Sequence, residues 1–123
     1  MREGRLTVEF RSRTKSFAAQ IIRLYVKLPK EREEVRVLGK QLLRSGTSVA
    51  AHVREAARAR SDAEFVSKLG GALQESDESQ LWLELLHEEC EIAPEDIKPS
   101  HQEAGELIAI MTTIVKKIRN RES

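Results

Sequence analysis

Three histidines, one cysteine and a few clustered serines are the side chains of this 123-residue sequence best suited to nucleophilic, general-base or metal chemistry. Glu84 and His87 form a Glu-x-x-His pair, the spacing with which di-iron bundles hold metal on each of two helices. Such a site needs a second pair and two further inward carboxylates. No second Glu-x-x-His occurs, so a solvated helix face is the competing reading. Ser45, Thr47 and Ser48 lie near His52, but no acid orients the imidazole and no glycine-rich oxyanion loop accompanies them. Gly70-Gly71 lacks the spacing of a phosphate loop. Cys90 stands among Glu88, Glu89 and Glu91, whose charge disfavours the thiolate. These residues predict no catalytic set, no metal, no cofactor and no small-molecule substrate, and therefore not an enzyme.

The other chemically useful residues are cations. At 100° per residue, Arg36, Lys40, Arg44, Arg54 and Arg58 fall, with Thr47, within about 80° of helix arc and extend over roughly 33 Å. Arg11, Arg13 and Lys15 reinforce them from upstream. One reading is a ridge for the phosphates of RNA or DNA, with little base specificity because no aromatic platform accompanies it. The other is ion pairing with acids such as Glu75 and Glu78, within the chain or across subunits. Net charge is only +1, yet residues 1–30 hold eight Lys/Arg against two Glu, and residues 62–96 hold eleven acids against Lys68 alone. Both readings fit that asymmetry.

Helices must position these groups. Hydrophobic residues make up 40% and charged residues 33%, with 3 Pro and 6 Gly, a composition of charged helix surfaces around one core. Periodicity predicts a first helix from about Thr14 to Leu28, with Phe17, Ile21, Leu24 and Leu28 on one stripe. A second runs from about Glu31 to Ala59 along the seam Val35, Leu38, Leu42, Ser45, Val49, His52 and Ala56. Gly46-Thr47-Ser48 inside it predicts either a kink or a close helix approach. Ser61-Asp62-Ala63-Glu64 reads as a capping box opening a third helix that ends near Glu89. Pro94 and Pro99 bound a connector, and the fourth helix starts near Ser100 with Leu107, Met111, Ile114 and Ile118. Leu42, Val49, Leu69 and Met111 are expected in the core.

The fold class is therefore all-α, an antiparallel up-and-down four-helix bundle, since short loops favour antiparallel neighbours. The domain division is a basic N-terminal arm at 1–13 and a bundle at 14–121. Leu6, Val8 and Phe10 alternate like a short strand, as a flexible arm or one that docks on a partner. Leu81, Trp82, Leu85 and Leu86 exceed the apolar arc one core uses, which marks an oligomer interface; a wide core against the connector is the alternative. The unpaired cysteine, the charged start and the lack of a long apolar run predict a cytoplasmic protein with no membrane span.

The run Leu42-Leu43-Arg44-Ser45-Gly46-Thr47-Ser48-Val49-Ala50-Ala51, then Arg58-Ala59-Arg60-Ser61 and Ala63-Glu64-Phe65, resembles the bacterial "four helix bundle protein" family. That family includes proteins encoded in ribosomal-RNA intervening sequences. The likeness extends to Arg23-Leu24-Tyr25, Leu28-Pro29-Lys30, Glu75-Ser76-Asp77-Glu78 and Trp82-Leu83-Glu84-Leu85-Leu86. It implies a four-helix protomer that forms a ring-like homopentamer. The chain is more distantly similar to the accessory protein of diversity-generating retroelements, which implies a basic surface for nucleic acid and a reverse transcriptase. His52 stands where such proteins often carry Asn, and the resemblance supplies no catalytic residue.

Overall fold

The computed structural model describes residues 4–122. Four helices follow one another: α1 (Val8–Lys27), α2 (Glu33–Ala57), α3 (Asp62–Glu88) and α4 (Pro94–Glu122). Each packs on its neighbour in sequence, and α4 closes more lightly on α1, which is the up-and-down order. Leu42, Val49, Leu69 and Met111 are all fully buried, as the seams predict.

Two helix starts differ from the sequence reading. The first helix begins at Val8, six residues before Thr14, because the Thr7 hydroxyl accepts the Phe10 amide at 3.0 Å and caps the helix. Leu6 and Phe10 are buried in the bundle core, so residues 4–13 belong to the bundle and are not an arm. Residues 1–3 of the predicted arm lie outside the described residues. The fourth helix begins at Pro94, not near Ser100. A proline at the first helical position loses nothing, since that amide has no intrahelical acceptor. Pro99 is exposed within the helix, while Ile97 and Ser100 on either side are buried and hold this turn against the bundle.

Local chemistry explains the other boundaries. Ser61 caps α3 by accepting the Glu64 amide at 3.0 Å, but the Glu64 carboxylate turns to Arg60 (3.8 Å) rather than back to the cap. Helix α3 ends at Glu88, and the chain turns away at Glu91, whose φ of 62° is left-handed; the turn is closed by bonds from the Ile92 amide to the Leu86 carbonyl and from the Glu91 amide to the His87 carbonyl. Gly46 does not break α2. A Cβ there would lie 2.7 Å from Ile21 Cγ1, so the small residue lets α1 approach. On its other side α2 is tied to α3 by the buried Ser45–Ser79 hydroxyl bond of 2.8 Å. These two contacts fix how far along α2 each neighbour sits. Among the described residues, no helix is long and apolar enough to cross a membrane.

Candidate nucleic-acid interface

The bundle divides the predicted stripe. Arg36 pairs with Glu33 on its own helix. Arg44 reaches α3, at 3.2 Å from Glu75 and 3.3 Å from Glu78. These two follow the ion-pair reading. Lys40, Arg54 and Arg58 are exposed and have no carboxylate partner among the described residues.

Arg54 and Arg58 instead face two cations of α1. The Gly46–Ile21 contact sets the antiparallel register, which brings the first half of α1 beside the last half of α2. There Arg11, Lys15, Arg54 and Arg58 line an open groove of about 880 Å³. Its lining includes the small residues Ala50 and Ala57 and the buried Val53 and Thr14, which leave room between the helices. Among the described residues the Arg11 guanidinium donates only to the Thr7 carbonyl, at 3.4 Å, and the Lys15 ammonium has no carboxylate partner. Among the described residues Glu55 is the one carboxylate in the lining, and it bonds to Lys68 of α3 at 2.9 Å. That contact, the larger cause, holds the Glu55 carboxyl below the usual range and raises Lys68. Arg13, two residues from Arg11, points the other way. It bonds to Glu103 at 2.7 and 2.8 Å and to Glu106 at 2.7 Å on α4, which raises its pKa. Helical phase is the signal that separates Arg13 from Arg11 and Lys15, and it is hidden in a segment that reads as an arm.

The predicted apolar interface also divides. Leu86 is fully buried in the protomer and faces the core, so it is removed from the interface set. Leu81 is 46% exposed, and Val37 is exposed to the same extent. Leu85 and Trp82 are half-buried, Trp82 packing against the core. The Trp82 indole N–H is buried with no acceptor among the described residues. Ile22 and Val26 on α1 are exposed as well.

Residues 7–113 match the 23S rRNA-intervening sequence protein family. The chain belongs to this family. It is similar over 87% of its length, and 98% of the other's, to a crystal structure of a Bacteroides thetaiotaomicron protein of the S23 ribosomal protein family, itself of unknown function, with 36% identity and a TM-score of 0.80. No curated protein matches the chain. The family match takes in both walls of the groove, from the Thr7 cap onward.

In this member of the intervening-sequence family, the residues weighed for catalysis are engaged elsewhere. His87 Nδ1 lies 2.8 Å from the Ile92 carbonyl, and His101 Nε2 lies 2.7 Å from Glu84, tying α3 to α4. Among the described residues, no three His, Cys, Asp or Glu side chains converge as a metal site. Cys90 is buried, and burial, with nearby Glu34, pushes its thiol up. The His52 ring lies over Gly71, where a Cβ would come within 3.1 Å of Nδ1, so the position is used in α2–α3 packing.

Proposed function

We propose that this protein is a non-enzymatic module that binds RNA or DNA through backbone phosphates in the groove between α1 and α2. One observation carries the reading: Arg11, Lys15, Arg54 and Arg58 converge there with no carboxylate partner of their own among the described residues, and the one acid in the lining is held by Lys68. Unpaired cations around an open concavity attract polyanions and release counterions when phosphate displaces them. Arg36 and Arg44, already paired, contribute less than the sequence stripe implied. Mobility shifts with a mixed-sequence RNA and a DNA duplex at two salt concentrations test the reading. Four phosphate contacts on duplex DNA would give a slope of log affinity against log salt near about −3.6. Arg54→Glu with Arg58→Glu should abolish the shift while helicity is kept. Binding that ignores salt, or survives the charge reversal, would overturn the groove.

The second reading, a homo-oligomer, is supported by the exposed Leu81 and Val37 and by the Trp82 indole N–H, which has no acceptor among the described residues. An apolar patch of this kind suits a second copy of the chain, and the family resemblance implies five.

A further inference from the structure

We propose that Lys68 is a positioning residue for the groove: it holds the Glu55 carboxylate on the α3 side and so keeps it off Arg58. The proposal rests on the reading of the groove as a phosphate site. Glu55 lines the groove and Lys68 does not, so the lysine acts through the glutamate. Its Nζ lies 2.9 Å from Glu55 Oε2, whereas His52 Nδ1, at 3.9 Å from Oε1, is beyond hydrogen-bond distance. The lysine contact holds the carboxylate towards α3.

Arg58 is the C-cap residue of α2, three residues after Glu55, so the two side chains leave neighbouring positions at the end of the helix. The same helix shows how an acid at that spacing behaves when nothing else holds it. Glu33, which has no lysine contact among the described residues, pairs with Arg36. Glu55 differs in having Lys68 across the α2–α3 interface, and Arg58 has no carboxylate partner among the described residues. Removing the lysine's charge lets Glu55 turn one rotamer towards Arg58. That takes one cation from an incoming phosphate and sets a negative charge beside it.

The test is a cycle of variants measured by fluorescence anisotropy with a mixed-sequence DNA duplex over a range of salt. Lys68→Met keeps the aliphatic stem and removes the charge; melting curves check that the bundle is intact. It should weaken binding about two- to five-fold, the scale of an exposed ion pair. It should also flatten the salt slope by about 0.9, the loss of one phosphate contact. Glu55→Gln should bind at least as tightly as the parent. Lys68→Met should then have no effect in the Glu55→Gln or Arg58→Gln background, and Lys68→Arg should bind like the parent. An equal loss from Lys68→Met with and without Glu55 would mean that the lysine acts by its charge alone and would overturn the proposal, as would unchanged binding in the single variant. A parent that shows no salt-sensitive binding removes the groove reading itself, and this proposal with it.

Discussion

Truncating Leu42 to alanine should cost about 2–5 kcal/mol, because the side chain is fully buried in the middle of α2 and the flanking helices can close only part of the cavity. Urea unfolding of the two proteins measures this, and equal midpoints would mean that the seam of α2 does not hold the core. A different effect operates at Asp62. Arg5 donates to its carboxylate at 2.7 Å and Arg121 at 3.2 Å, so side chains near both ends of the chain meet at the start of α3. The Arg5 bond is the larger cause holding this carboxyl below its usual range. A carboxyl with a depressed folded pKa contributes stability that is complete above its unfolded value and is lost as pH falls through the folded one. Melting temperature should therefore stay level near neutrality and decline from about pH 4 downward. Asp62→Asn should lower the neutral plateau and make the acid decline shallower; an unchanged acid limb in circular-dichroism melts would remove Asp62 from the account.

Helix ends are where the elements hold their surprises. Glu91 adopts φ of 62° at the close of α3, a conformation that costs a residue with a Cβ roughly 1 kcal/mol or more. Glu91→Gly should stabilise the bundle by about 1 kcal/mol and raise the melting temperature by about 2–5 °C, while Glu91→Ala should give no gain. A glycine variant that melts below the parent would show that the Glu91 side chain contributes more than the strain costs. The interiors of the helices were legible in the sequence: Phe17 and Ile21, Leu42 and Val49, Leu69 and Leu83 repeat at spacings only a buried helix face explains. The starts of α1 and α4 were not. Leu6, Val8 and Phe10 alternate in the sequence, yet Val8 is exposed on the first turn of a helix while Leu6 and Phe10 enter the core. Three residues cannot distinguish a period of 2 from the opening of a period of 3.6. Pro94 reads in the sequence as the edge of a connector, and the first turn, anchored by the buried Ile97, decides for the helix.

At the scale of the whole molecule, the cations of the bundle divide into two groups. Arg44 with Glu75 and Glu78, and Arg13 with Glu103 and Glu106, join neighbouring helices. Arg11, Lys15, Arg54 and Arg58 remain available to solvent or a ligand. Self-association belongs to this scale as well. Leu81 is the clean probe for it, since Trp82 also packs against the protomer's own core and a charge there would damage folding. Light scattering at micromolar concentration should give a mass above 14.0 kDa for the parent. Leu81→Glu should return it to the protomer mass with its helix content intact. A parent that already runs as a single protomer would leave the exposed leucine without an assembly role.

The sequence by itself determined that four amphipathic helices bury a shared core, because burial at a spacing of three and four is a local property each helix carries in its own residues. It also determined that the cations of α2 lie away from that core, since Arg36, Arg44, Arg54 and Arg58 follow from the same phase. Which of them are free was decided only by the tertiary structure. Ion pairing depends on what the adjacent helix presents at the same height. The glycine-to-isoleucine contact between α2 and α1 and the serine pair between α2 and α3 set that height. They place Arg44 against acids and put Arg54 and Arg58 in one groove with Arg11 and Lys15. The same dependence on packing separates Leu86, turned into the core, from Leu81, turned to solvent, five residues apart on one helix.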